Sequence, residues 1–138
     1  MCLFTKSKYP LIAQEDIVCY KTVRFDWDRR SGHFMTPFQH TPIPDDVITG
    51  KCAFKASRTK SEVLLEKGYG HFSCNGLVVD YGYIHTWKDE KTARKVHTGP
   101  IFKCIIPKGT IYYDGYFNGW IGYESMCAEE IKFVERIN

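Results

Sequence analysis

An α+β fold, mostly antiparallel sheet with one or two short helices, is predicted for this chain, and three observations predict it. Several short runs are rich in β-branched and aromatic residues and alternate apolar with polar positions. Turn dipeptides separate them. Only one stretch carries helix start and stop signals. With 138 residues the chain has the length of one domain, 1–138.

The first predicted strand is Ile17–Arg24, which is β-branched and aromatic. Residues 25–50 read as a long loop, with Asp26, Asp28, Gly32 and the prolines Pro37, Pro42 and Pro44. Lys51–Ser57 alternates and predicts a short strand. Ser61–Gly68 fits a helical turn ended by its glycine or a strand. Gly68–Phe72 and Gly82–Trp87 both read Gly-Tyr-x-His, which suits neighbouring strands of one sheet. Thr86 is the expected N-cap of a helix over Lys88–Lys95, with Trp87, Ala93 and Val96 on its core face and Gly99-Pro100 ending it. Ile101–Ile106 is a near-continuous apolar run and predicts a central strand. A turn at Pro107–Thr110 leads into a strand at Thr110–Tyr113. Asp114-Gly115 and Asn118-Gly119 are turn signals. The alternating Glu130–Glu135 predicts a half-buried last strand.

Composition narrows the function classes. Nineteen Lys+Arg against sixteen Asp+Glu give a net charge of +3, too mild and too scattered for a protein that binds long nucleic acid. No apolar run reaches the length that crosses a bilayer, and the opening residues lack the pattern of a secretory signal, so a cytoplasmic protein is expected. Six cysteines without close paired spacing are expected to be reduced, small hydrophobic residues of the core rather than disulfides or metal ligands. No metal or cofactor is expected. Phosphate loops and the nucleophile-elbow motif are missing.

Aromatic residues carry the functional reading. Nine Tyr, nine Phe and three Trp exceed what one small core was expected to absorb, so some rings are expected to line a ligand surface. Tyr83, Trp87, Tyr113 and Trp120 are the candidates for stacking on a base. Lys21, Arg24, His85, Arg94 and Lys108 are the candidates for phosphate contacts, because guanidinium and ammonium groups make charge-assisted hydrogen bonds to phosphate oxygens. For each ring the competing account is core packing, and for the charged groups of the Arg24 loop it is a solvated surface. No catalytic residue is singled out.

Two stretches resemble small proteins of bacteriophages and gut-bacterial mobile elements: Gly82–Trp87 with Asp89 and Ala93, and the Ile105–Gly115 hairpin with its Ile-Pro-Lys-Gly-Thr-Ile-Tyr-Tyr core and the closing Glu130–Phe133. The glycine–aromatic–His–aromatic segment is also distantly similar to phage anti-defence sponges of the anti-Thoeris type. That resemblance implies an anti-defence protein of the host bacterial cytoplasm. It would sequester a nucleotide immune signal, a cyclic oligonucleotide or cyclic ADP-ribose type molecule, without turnover, and often as a homo-oligomer. Two other readings compete. Arg24 with a late Glu124, Glu129 or Glu130 loosely fits an NAD-using ADP-ribosyltransferase, although the Ser-Thr-Ser element of such enzymes is missing. A surplus of aromatic anchors also suits an inhibitor that binds a host defence protein.

Overall fold

The computed structural model describes residues 3–7, 9–25, 34–37, 41–56, 62–64, 77–79, 83–96, 98–117 and 122–138. In chain order the strands are β1 (Leu3–Thr5), β2 (Leu11–Ile12), β3 (Ile17–Thr22), β4 (Arg24–Phe25), β5 (Phe34–Met35) and β6 (Pro42–Ile43). After helix α1 (Asp45–Ile48) come β7 (Phe54–Lys55), β8 (Glu62–Leu64), β9 (Leu77–Val79) and β10 (Ile84–Trp87). Helix α2 (Glu90–Val96) precedes β11 (Ile101–Ile106), β12 (Ile111–Phe117), β13 (Glu124–Ala128) and β14 (Glu130–Arg136). The α+β, mostly antiparallel expectation holds: the strand pairs of the described residues are all antiparallel.

One large sheet runs in the order β7-β14-β11-β3-β10-β13-β12-β1-β9-β8, with β2 beside β12. A small second sheet has the order β4-β5-β6. The apolar β11 sits between β3 and β14, the central place its sequence predicts. Registers such as Cys19↔Cys104 and His85↔Cys127↔Tyr113 show which side chains share a face. One face carries Cys19, Ile84, Phe102, Cys104, Met126 and Phe133, and it is covered by Val23, Ile43, Val47 and Phe34 from α1 and the small sheet with its flanks. The other face carries Trp87, Ile101 and Phe117 under Ala93 and Val96 of α2, and next to them Leu3, Tyr83, Tyr113 and Cys127. β10 and most of β13 are therefore buried on both sides, whereas β3 keeps Val18 45% exposed.

Several local expectations need correction. Residues 25–50 are not one loop: they contain β5, β6 and α1, and β4 ends at residue 25. Thr86 is not a helix cap. It is a fully buried residue of β10, and Asp89 caps α2 by accepting the Thr92 amide at 2.7 Å. For Ser61–Gly68, read as a helical turn or a strand, the strand alternative holds at Glu62–Leu64. Asp114-Gly115 does not turn the chain but lies inside β12. The strands β1 and β13 had no predictive signal assigned to them. Gly68–Phe72 and Asn118-Gly119 lie outside the described residues.

Two glycines explain how the hairpin region is built. Gly109 has φ +88°, and Thr110 N–H donates to the Pro107 carbonyl at 3.1 Å, so Pro107–Thr110 is a tight turn with a left-handed third residue. It is strapped to the segment after β2: Gly109 N–H donates to Ala13, Ala13 N–H to Thr110, and Lys108 N–H to the Asp16 carboxylate. Gly115 acts differently. It pairs with Thr5, and a Cβ there would meet the Phe4 carbonyl oxygen at 2.2 Å. Only glycine lets β1 approach β12 this closely.

Gly115→Ala is expected to destabilise the fold by about 2 kcal/mol or more, because backbone on backbone has no soft way to yield. Urea unfolding at neutral pH measures this. A loss below about 0.5 kcal/mol, the range of ordinary surface changes, means that β1 is not held against Gly115.

Candidate functional site

The eight expected ligand residues that lie among the described residues do not converge on one site. Trp87 (1% exposed), Tyr113 (4%) and Tyr83 (9%) are core residues. Trp87 packs edge-on against Phe117 with centroids 5.2 Å apart, and its indole N–H donates to Thr22 Oγ1 at 3.4 Å. Tyr83 and Tyr113 pack edge-on against each other at 5.7 Å. None of the three offers a ring face to a ligand arriving from solvent, so their expected stacking role is corrected to core packing. The physical reason is the two-faced sheet, which needs a core on each side. Trp120 lies outside the described residues.

Lys21 and His85 are also interior. Lys21 Nζ donates to the His85 carbonyl at 2.8 Å, across the seam where β3 and β10 share the single registered pair Trp87↔Tyr20. Burial pushes the Lys21 ammonium down to about 8, offset in part by Cys104, Cys127 and Cys19. Burial, then the neighbouring Lys21 charge, lowers the His85 imidazole to about 3. The neutral ring donates from Nε2 to the Val79 carbonyl at 3.4 Å. These two residues are a structural pair, not phosphate donors facing solvent. The surrounding thiols fit the expectation of reduced core cysteines: Cys19, Cys104 and Cys127 carry no disulfide and are fully buried, and burial pushes Cys19 up to about 12 and Cys104 up as well. Cys52 departs from it, being exposed. Cys2 and Cys74 lie outside the described residues. Among the described residues no cluster of His, Cys, Asp or Glu could hold a metal ion.

Three expected cations reach the surface at different places. Arg94, on α2, sits 3.5 Å from Glu90 one turn earlier. Lys108 lines a recess of about 510 Å³ with Lys55, Glu129 and Glu130, a lining that balances two cations with two carboxylates. The amides of its turn are already used by Ala13, Asp16 and Pro107, so they form no phosphate cradle.

Arg24 is placed most suggestively. With Phe25 it borders a second recess of about 510 Å³, completed by Thr98–Pro100, Arg136 and Asn138. Among the described residues its side chains include two guanidiniums and no carboxylate. The volume lies within the about 300–1,000 Å³ typical of small-molecule sites. Arg136 was not foreseen from sequence, because β14 reads as an ordinary amphipathic strand. Its Nε donates to the Asn138 carbonyl at 2.7 Å, and its guanidinium carbon lies 5.9 Å from the centre of the Phe25 ring. Asn138 in turn is pinned: its Oδ1 accepts the Ile101 amide at 2.7 Å, and its Nδ2 donates to the Gly99 carbonyl at 3.2 Å. Arg24 was the legible part of the site, whereas Phe25, the next residue, was not singled out. None of Glu124, Glu129 and Glu130 lines the Arg24 recess. Glu124 sits instead 3.3 Å from Lys6 and 3.9 Å from Lys88. The Arg-plus-Glu arrangement of a transferase is therefore not assembled there. No helix of the described residues is long and apolar enough to cross a membrane.

The pH dependence of stability follows from His85. Its unfolded pKa is near 6.5, and its folded value is about 3. Above pH 6.5 both states are neutral and nothing is lost. Below it the unfolded chain takes up a proton that the folded one refuses, so stability falls as pH drops toward 3. His85→Gln, which keeps a donor for Val79, is expected to lose about 2 kcal/mol less than wild type between pH 7.5 and pH 5. Urea titrations at the two pH values measure it; equal losses in both proteins rule out a neutral buried imidazole.

No protein-family model, no curated protein and no solved structure matches this chain.

Proposed function

We propose that the protein binds and sequesters a small phosphorylated nucleotide without turning it over, and that the Arg24–Arg136 recess is where it does so. The observation that carries this reading is the recess itself. The guanidiniums of Arg24 and Arg136 line it, and the Phe25 ring, 40% exposed, lies under that of Arg136. Guanidiniums are the side chains best suited to bidentate contact with phosphate oxygens. The Ile-Pro-Lys-Gly-Thr-Ile-Tyr-Tyr hairpin and its resemblance to phage proteins suggest the biological setting. The guest would be an immune signal of the cyclic oligonucleotide or cyclic ADP-ribose type, held in a bacterial cytoplasm by an anti-defence protein.

A second reading is favoured by one surface feature. Ile12 (58% exposed) pairs with Ile111 (36%), and Leu11 (44%) and Tyr9 (68%) precede it in the chain. An apolar patch beside a two-residue strand suits a protein partner. Pull-down of one host protein that Ile12→Lys abolishes, with no small-molecule binding, would select this inhibitor reading.

Calorimetric titration with cyclic dinucleotides, ADP-ribose and its cyclic form tests the first reading. Binding of at least one is expected, with the ligand recovered chemically unchanged. Arg136→Ala is expected to weaken it about 10-fold to 100-fold, the worth of a charge-assisted hydrogen-bonded pair. A ligand recovered in altered form refutes sequestration without turnover, and no binding across the panel removes the reading altogether.

A further inference from the structure

The guanidinium of Arg136 sits at the end of an aromatic ladder that begins in the core. Phe133, 1% exposed, meets Phe102 edge-on at 5.5 Å. Phe102 meets Phe34 edge-on at 5.6 Å, and Phe34 stacks on Phe25 at 5.4 Å with planes 30° apart. Phe25 then carries Arg136 over its ring. Strand register closes the circuit. Phe34 is the partner of Phe25 in the small sheet, and Arg136 is the partner of Phe102 in the large one. The ladder thus crosses the seam between the two sheets, and Arg136 is where it surfaces. The ring below and the Asn138 carbonyl on Nε restrain the group from two directions. Such restraint removes the ordering cost that a long flexible side chain otherwise meets on binding. It also leaves the terminal nitrogens as the edge for a planar pair of oxygens. Phe34 itself does not border the recess.

We infer that this ladder fixes Arg136 as an oxyanion fork, and that Phe34 is a positioning residue that sets affinity for a phosphate group without touching it. The inference rests on the sequestration reading for its ligand but not for its structural half. It accounts for a recess that is built at a seam and still holds one cation by a ring and a main-chain oxygen. It also assigns a role to the small sheet, whose β4–β5 pair delivers both rings.

The experiment uses the full chain, with inorganic pyrophosphate as probe and the relaxation of the Arg136 Nε–H group by nitrogen-15 NMR as a readout independent of ligand. Phe34→Leu is expected to weaken pyrophosphate binding about fivefold or more and to lower the order of the Arg136 Nε–H group. Phe54→Leu, at the far end of the same stack 6.1 Å from Phe133, is expected to cost stability but to change neither readout. Because Phe34→Leu could fail to fold, the half-exposed Phe25 supplies a second pair. Phe25→Leu is expected to weaken binding, and Phe25→Trp, which keeps a cation–π face, to restore it to within about twofold of wild type. An Arg136 Nε–H group that stays equally ordered in Phe34→Leu or Phe25→Leu overturns the ladder and leaves sequestration standing. A wild-type protein that binds neither pyrophosphate nor any nucleotide overturns the fork and the sequestration reading together.

Discussion

The central strands of this protein must be covered on both faces, and most of what the molecule does with its side chains follows from that constraint. β3, β10, β11 and β13 lie in the middle of the large sheet. One face faces α1 and the small sheet, the other faces α2 and the region around Leu3. A sheet with one solvated face would leave every second side chain for the surface. Here both sets are buried along β10 and most of β13, and on β3 and β11 the second set is buried only in part, with Val18 left exposed. Trp87, Tyr113 and Tyr83 go to one core while Phe102 and Phe133 go to the other. Among the described residues, most of the aromatic rings that looked like a ligand surface belong to or pack against three core clusters.

Two-sided burial also draws polar groups inside, and each buried one needs a partner. Lys21 is the sharpest case. Its ammonium bonds the His85 carbonyl where β3 and β10 are held by one registered pair. The cost of burying it is partly avoided by a lowered proton affinity, and the imidazole beside it stays neutral for the same reason. Thr22 accepts the Trp87 indole, and Thr86 donates to the Met126 carbonyl. The interior is thus mixed rather than oily, which is why residues with functional chemistry turn out to be structural.

The surface site is made by the seam that two-sided burial requires. Covering the first face brings β4 and β5 onto β11 and β14, and the aromatic contacts of that layer continue outward to Arg136. The same contacts that seal the core therefore orient a cation. Arg24 and Phe25 reach the recess from the small sheet, Arg136 and Asn138 from the far end of the large one. They are separated by more than a hundred residues of chain.

The sequence by itself determined the local geometry: alternation and β-branching specify the strands at Ile17–Thr22, Ile101–Ile106 and Glu130–Arg136, and Pro107-Lys108-Gly109-Thr110 specifies its turn, because these depend on dihedral preference and period alone. It also singled out Arg24. Only the tertiary structure decided which alternating positions are exposed, since a strand's pattern does not say whether its polar face meets water or a second layer. Gly115 belongs to this class: next to Asp114 it spells a turn, yet the close approach of β1 keeps it in a strand. Arg136 belongs to it too, being an ordinary strand-end cation until the fold brings Phe25 beneath it. Side-chain partners across a seam are fixed by packing between distant segments, and no local propensity encodes them.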